Sequence, residues 1–257
     1  MTASLFDLTG RLALVTGSSR GLGLALATGL AEHGARVVLH GRDTGALARA
    51  REQVAAAGGG TEVVAVTFDV TDPAAVRSGI GALVAEHGVP DVLVNNAGIQ
   101  RRAPFNDFDP QDWDDIVAAN LSSAFYVSQQ VTRGMAERGS GKVVNIGSVQ
   151  SQLARQTIAP YSATKGGLVM LTKGMAADLA RFNIQVNAIS PGYFATELNR
   201  ALVEDEEFNA WVVARTPAGR WGRFEELIGT LVFLSSAASS FVSGQNIFVD
   251  GGMTAVV

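Results

Sequence analysis

The chain has 257 residues, with 20 Lys+Arg against 24 Asp+Glu, and a formal charge of −4. It contains no Cys, which excludes disulfides, thiolate nucleophiles, iron–sulfur clusters and Cys-ligated zinc. The mild acidity, without a long basic tract, argues against nucleic-acid binding, and the length is enough to bury roughly 70% of the unfolded surface in one large core.

The opening stretch, MTASLFDLTGR, carries Asp7 and no long apolar segment, so no signal peptide is expected. No apolar run approaches the ~18 residues of a membrane span, and a cytoplasmic protein is the expectation. Arg11–Thr16 then reads as a buried strand. It runs into Thr16-Gly17-Ser18-Ser19-Arg20-Gly21-Leu22-Gly23, and a helix over Gly21–His33 follows at once. Glycines at 17, 21 and 23, between strand and helix, allow a tight turn and a close backbone approach to a pyrophosphate, which the helix N-terminus stabilises. The alternative is a tight turn with no ligand.

The second strand, Arg36–His40, ends in His40-Gly41-Arg42 with no acid before Asp43. Dinucleotide folds that hold NAD place an acid there for the ribose 2′-hydroxyl. Arg42 and Arg20 suit a 2′-phosphate instead, so NADP is favoured over NAD; the alternative is that both arginines are solvated surface residues.

Helices over Thr44–Ala57 and Pro73–His87 flank a third strand, Val63–Phe68. Gly58-Gly59-Gly60 breaks the chain before that strand, and Asp72-Pro73 reads as an N-cap followed by Pro at the first helical position. Two of the three His, His33 and His87, sit in Glu-His-Gly sequences where a helix would end, which reads as capping. Acid–base work would then fall to Tyr, Lys or carboxylates.

The fourth strand, Asp91–Asn95, closes in Asn95-Asn96-Ala97-Gly98, read either as turn chemistry or as part of a ligand edge. One long helix is expected over Gln111–Arg138, with Asn120 inside it. Further strands are Lys142–Ile146, Ile184–Ile189 and Asn246–Val249; further helices are Tyr161–Phe182 and Phe224–Ser235. This alternation predicts an α/β fold, a parallel sheet covered by helices on both faces. No repeat or linker divides the chain, so one domain over 1–257 is expected, with Pro191–Pro217 as a substrate-side lid.

Tyr161-Ser162-Ala163-Thr164-Lys165 sets a phenol and an ammonium at i and i+4 on one helix face. A neighbouring cation favours phenolate and is expected to lower the Tyr161 pKa, giving a group that exchanges a proton with an alcohol or alkoxide. With three Tyr and three Lys (Lys142, Lys165 and Lys173) in the chain, such a pair rarely arises by chance. Ser148, after the fifth strand, could bind the substrate oxygen.

Taken together, Thr16–Gly23, Asp69-Val70, Asn95–Gly98, Asn120, Ser148, Tyr161-x-x-x-Lys165 and Pro191-Gly192 with Thr196 resemble the short-chain dehydrogenase/reductase family over essentially the whole chain. The resemblance implies a Rossmann-type, doubly wound, seven-stranded sheet and hydride transfer without a catalytic metal. It implies a tetrad in which Tyr161 is acid or base, Ser148 binds the reacting oxygen, Lys165 holds the nicotinamide ribose and Asn120 positions a proton-relay water. It further implies that Gly17, Ser19, Arg20, Gly21, Leu22 and Gly23 form the phosphate loop. Asp69 and Val70 would meet adenine, and Asn96, Ala97 and Gly98 the adenosine ribose. Pro191, Gly192, Phe194 and Thr196 would meet the nicotinamide. A homotetramer, or else a dimer, is the family's usual assembly.

Within the family, Asn95–Arg102, Pro191–Glu197, Thr216–Gly222 and Phe248–Met253 resemble the branch of bacterial gluconate 5-dehydrogenases, which interconvert 5-keto-D-gluconate and D-gluconate. Gly147 departs from that branch, where a cysteine is expected, and should loosen the backbone there. A polyol acid needs a cation and many hydrogen-bond partners. Arg101, Arg102 and Arg155 are the candidate cations, and Gln150, Gln152 and Tyr193 the candidate hydroxyl partners. For Arg101 and Arg102, subunit salt bridges or a solvated rim are the alternative. Two other readings stay open: the same chemistry on another carbonyl, such as a 3-oxoacyl thioester or another keto-sugar, and a non-catalytic dinucleotide-binding regulator.

Overall fold

The computed structural model describes residues 5–195 and 200–256, with the side chains of residues 200 and 201 left out. Seven strands form one parallel sheet: β1 (Leu12–Val15), β2 (Arg36–His40), β3 (Val63–Val66), β4 (Val92–Asn95), β5 (Gly141–Ile146), β6 (Ile184–Pro191) and β7 (Asn246–Val249). Their order is β3-β2-β1-β4-β5-β6-β7. The crossovers are α1 (Gly21–Glu32), α2 (Thr44–Ala57), α3 (Pro73–His87), α4 (Pro110–Val117) continuing into α5 (Ser123–Arg138), and α6 (Ala159–Leu179). Three further helices, α7 (Arg200–Glu204), α8 (Glu206–Arg215) and α9 (Glu225–Ser235), lie between β6 and β7.

The apolar runs explain why both faces are covered. In β1, Leu12 and Leu14 enter one apolar cluster with Val38, Val127, Val131, Met135 and Val186, while Ala13 and Val15 enter a second with Leu26, Leu30, Val37, Leu39 and Leu231. A strand whose side chains alternate between two cores must be apolar throughout, which is the unbroken pattern of Leu-Ala-Leu-Val. On one face α1 packs against α2 and α9; on the other, α3 packs against α5.

The caps follow the sequence. Asp72 accepts from Ala74 N at 2.8 Å and precedes Pro73 in the first turn of α3. His33 and His87 stand at the ends of α1 and α3, each followed by a glycine at φ +91°. The expected single helix over 111–138 differs in one respect: it is interrupted by a π-turn at Ala118–Ser122. One extra residue in the turn breaks the i→i−4 register and carries Asn120 on the bulge. Among the described residues no strand follows β6 until β7, but Phe194 forms an isolated bridge to Gly222.

The reversal of strand order between β1 and β4 opens a crevice at the carboxyl ends of the strands, where open α/β sheets bind ligands.

Candidate active site

A cavity of about 970 Å³ fills that crevice. One end is lined by Gly17, Ser19, Arg20, Leu22, Gly23, Arg42, Asp69 and Val70, the other by Arg101, Arg102, Gln150, Arg155 and Tyr193. Asn96, Ala97, Gly98, Asn120, Ser148, Tyr161, Lys165, Pro191, Gly192 and Phe194 lie between. Of the residues singled out in the sequence, Gly21 turns the chain behind the lining, Gln152 is exposed outside it, and Thr196 lies outside the described residues.

The phosphate-loop end is built from main chain. Gly17 has φ +64°, and a Cβ there would sit 2.9 Å from Ala97 Cα; a Cβ on Gly23 would fall on the Gly17 carbonyl. Both glycines are therefore required by close approach. Asn96 Nδ2 donates to the carbonyls of Thr16 at 2.9 Å and Gly17 at 3.1 Å, so this side chain holds the loop itself. The N-cap position of α1, Arg20, makes no side-chain capping bond, and the first turn of α1 has no acid. Beyond the loop, Arg42 Nη1 donates to Asp69 Oδ2 at 3.4 Å. Thr71 donates to Asp69 through N–H and hydroxyl, at 2.8 and 2.7 Å, which holds the Asp69 carboxyl below its ordinary pKa.

His40 was not singled out by its residue type, yet its ring joins the loop to the end of β3: Nδ1 faces Gly17 N at 3.2 Å and Nε2 faces Phe68 O at 3.0 Å. The signal was its place, last in β2 at the carboxyl edge.

At the centre, Ser148 caps a short turn by accepting from Gln150 N at 3.1 Å, and it hydrogen-bonds Tyr161. Lys165 is buried, donates to Ile146 O at 2.7 Å, and lies 5.6 Å from the centre of the Tyr161 ring. Burial lowers its pKa to about 8. The i, i+4 spacing leads one to expect a lowered Tyr161 pKa. The structure has the opposite balance: burial pushes the phenol up, the Ser148 hydrogen bond only partly offsets it, and Tyr193 adds to the rise. Lys165 directs its ammonium to the Ile146 carbonyl rather than to the phenol. Asn120 accepts from Ile99 N at 2.7 Å and donates to Ile99 O at 2.9 Å, pinning the loop that follows β4.

Gly147 does not loosen this region. Its N–H donates to Ile189 O at 2.7 Å, and a Cβ on it would fall on Ser190 Oγ. The glycine lets β5 and β6 close beneath Ser148.

At the far end the three arginines separate. Arg101 Nε lies 3.4 Å from Asp112 Oδ1, an ion pair at the rim. Among the described residues no carboxylate pairs with Arg102 or Arg155. They face one another instead: partial burial and the Arg155 charge lower the Arg102 pKa. Arg155 Nε is buried without a hydrogen-bond partner, as is Gln150 Oε1. The Arg155 guanidinium stacks 5.1 Å above Phe208. Tyr193 meets Phe208, Trp211 and Trp221 edge-on at 5.7–5.8 Å, so α8 and the 219–222 turn wall this end. The Phe194 ring is buried in the core, where a Cβ on Gly222 would strike it.

A short-chain dehydrogenase profile, described as enoyl-(acyl carrier protein) reductase, matches residues 17–254. The chain belongs to the short-chain dehydrogenase/reductase family. It is similar to a gluconate 5-dehydrogenase of Gluconobacter oxydans, 56% identical over 250 residues that cover 97% of each chain. It is also similar to a 5-keto-D-gluconate 5-reductase of Escherichia coli, 51% identical over 98% of this chain and 99% of the relative. A solved gluconate 5-dehydrogenase from Burkholderia cenocepacia, in complex with NADP and tartrate, superposes with a TM-score of 0.95 at 54% identity, covering 98% of both chains. No helix among the described residues is long and apolar enough to cross a membrane.

Proposed function

We propose that this protein is an NADP-dependent oxidoreductase that interconverts 5-keto-D-gluconate and D-gluconate. The observation that carries the reading is the meeting, in one cavity, of the Tyr161–Ser148–Lys165 cluster with two guanidiniums, Arg102 and Arg155, that no described carboxylate neutralises. The similarity to gluconate 5-dehydrogenases, one of them holding NADP, supports it.

The donor set fits such a cofactor. A glycine loop that no Cβ could enter, a helix N-terminus without a side-chain cap, and two arginines with no acid at the end of β2 match a pyrophosphate and a 2′-phosphate. In this reading Gly17, Ser19, Gly21, Leu22 and Gly23 hold the pyrophosphate, and Arg20 and Arg42 hold the 2′-phosphate. Asp69 and Val70 flank the adenine, and Ala97 and Gly98 the adenosine ribose, with Asn96 bracing the loop. Lys165 holds the nicotinamide ribose, and Pro191, Gly192, Phe194 and Thr196 border the nicotinamide. When bound, the nicotinamide supplies or accepts the hydride.

The chain's own groups do the rest. Ser148 donates to the C5 oxygen and fixes it beside Tyr161. In the direction of reduction Tyr161 gives its phenolic proton to that oxygen as charge develops there. A phenol raised by burial is protonated at neutral pH, the state an acid needs. Arg102 and Arg155 clamp the substrate carboxylate, and Gln150 and Tyr193 take up hydroxyls. Arg101 forms the outer rim, and Asn120 anchors Ile99 beside the reacting groups. An acyl thioester would leave both guanidiniums without an anion, which counts against that reading. Within the segment 191–217, Tyr193 and α8 cover the substrate. Exposed Phe125 on α5 and Met170 on α6 are apolar side chains that a second copy of the chain could cover, which fits a homotetramer or a dimer; sedimentation velocity tells the two apart.

The deciding experiment is a panel of 5-ketogluconate, 2-ketogluconate and an acetoacetyl thioester, each with NADPH and NADH, followed by nicotinamide absorbance. The expected outcome is the highest kcat/KM for 5-ketogluconate with NADPH. A preference for the thioester overturns the substrate, and no turnover despite tight NADPH binding points to a nucleotide sensor.

A further inference from the structure

We infer that His40 is a positioning residue for the glycine loop, and that it holds the loop in its cofactor-binding shape only while its ring is neutral. This rests on the NADP reading above.

The ring's two partners fix its state. Gly17 N–H is a donor, so Nδ1, at 3.2 Å, must accept; Phe68 O is an acceptor, so Nε2, at 3.0 Å, must donate. That arrangement is the neutral Nε2–H tautomer. The main chain of the same residue grips the next step of the loop: Ser18 N donates to His40 O at 2.9 Å, and His40 N donates to Ser18 Oγ at 2.9 Å. One residue therefore holds Gly17 and Ser18 from below, while Ala97 abuts Gly17 from the β4 side. Gly17 N–H has no freedom to find another acceptor, because the loop is confined on both sides.

Protonation would put a second donor on Nδ1, directly against Gly17 N–H. Two buried donors facing each other must separate, and Gly17, with no other acceptor in reach, can do so only by distorting the loop from its cofactor-binding shape. The groups around the ring set when this happens. Burial dominates and lowers the pKa of His40 below 6.5; the hydrogen bond to Phe68 O opposes this, Asp69 after β3 also favours the charged ring, and Arg42 after β2 disfavours it. The Phe68 ring, 4.3 Å away, brings no charge, and the one charged residue of the glycine loop, Arg20, is exposed to solvent. Below the folded-state pKa the loop loses its acceptor, so cofactor affinity falls with pH while the tetrad residues, carried by the π-turn, the end of β5 and α6, keep their geometry.

The test measures NADP⁺ binding to the full chain by calorimetry between about pH 7.5 and 5, for wild type, His40→Asn and His40→Phe. Asparagine offers Oδ1 near the position of Nδ1 and does not titrate. At pH 7.5, His40→Asn should bind within about threefold of wild type, and His40→Phe about tenfold more weakly at every pH. As the pH falls, the affinity of wild type relative to His40→Asn should drop by up to about tenfold per unit. Titration of the cofactor's own 2′-phosphate is common to both proteins and cancels in that ratio. Long-range ¹⁵N–¹H correlation on the ligand-free chain should read the Nε2–H tautomer at neutral pH, a result that does not depend on turnover. A wild-type-to-His40→Asn ratio that stays constant across the pH range in which the ¹⁵N shifts show the ring to protonate, or an Nδ1–H tautomer, overturns the inference alone. No NADP⁺ binding by any protein at any pH overturns the cofactor reading, and this inference with it.

Discussion

The two ends of the cavity are made of different material. The phosphate-loop end is backbone held by short-range contacts: glycines that admit no Cβ, a helix N-terminus, and side chains such as Asn96 and His40 whose hydrogen bonds are spent on the loop itself. The substrate end is long side chains from segments far apart in sequence, with Arg102 after β4, Gln150 and Arg155 after β5, and Tyr193 after β6. At the first end Asn96 and His40 are paired within the protein; the second carries a buried guanidinium nitrogen and an amide oxygen with no partner among the described residues. A site whose polar groups are already paired recognises its ligand by shape and main-chain donors. One that leaves them unpaired is built around the ligand that completes them.

Substitutions at the junction of the two ends should give the largest effects. Tyr161→Phe removes the proton while keeping the ring, so kcat should fall by about 10²–10⁴ with NADP binding unchanged. Stopped-flow reduction of 5-ketogluconate measures the first and calorimetry the second. A kcat within tenfold of wild type would move acid–base catalysis to another group.

Lys165→Met separates function from stability. The folded-state pKa of about 8 lies below the unfolded value near 10.5. The unfolded chain therefore holds a proton that the folded one lacks between those values, and stability falls as the pH drops from 10.5 through 8. At pH 7 the whole cost is present, about 3 kcal/mol at ~1.4 kcal/mol per unit. Because the bond to Ile146 O is lost as well, the expected gain for Lys165→Met is about 1–3 kcal/mol in urea unfolding at pH 7, with loss of turnover. Lys142 is shifted in the same direction, so the informative quantity is the difference between the two proteins' pH profiles, not the slope of either.

The three arginines test the substrate end directly. Arg102→Gln and Arg155→Gln should each raise KM for 5-ketogluconate by about 10–100-fold, since each leaves the carboxylate and the remaining guanidinium poorly matched. Arg101→Gln, which breaks only the rim pair with Asp112, should change KM less than threefold. Equal effects at all three positions would mean that the charge of the rim, rather than a two-arginine clamp, recognises the substrate.

The same contrast governs what the sequence could convey. The strands, the two-faced core and the glycine turn between β1 and α1 were legible because they rest on local signals: unbroken apolar runs, glycines between strand and helix, and Asp72-Pro73 at a helix start. Asn120 was visible as a residue, but the π-turn that carries it was not, since an i→i+5 turn leaves no distinct pattern in Ala-Ala-Asn-Leu-Ser. The balance at Tyr161 was misjudged because spacing on a helix says which residues are neighbours but not where a four-carbon side chain sends its charge. That Arg101 pairs outward while Arg102 turns to Arg155 could not be read from two adjacent arginines. It depends on Asp112 and on a loop more than fifty residues away.

At Arg42 the phosphate-loop end relies on an exposed side chain, and its effect should be smaller than that at Tyr161. Its only recorded partner among the described residues is Asp69, at 3.4 Å, and its side chain is 76% exposed. An exposed pair of this kind contributes little to stability, so Arg42→Asp should leave the unfolding midpoint nearly unchanged. What changes is the sign of the charge presented to the cofactor's ribose. A carboxylate at 42, beside Asp43 and Asp69, repels a 2′-phosphate and can accept from a 2′-hydroxyl, so the ratio of kcat/KM for NADPH over NADH should fall by about tenfold or more. Arg20 is exposed at the same end of the cavity, so part of the preference should survive. If the ratio does not move at all, discrimination rests on Arg20 and the main chain, and Arg42 has no part in it.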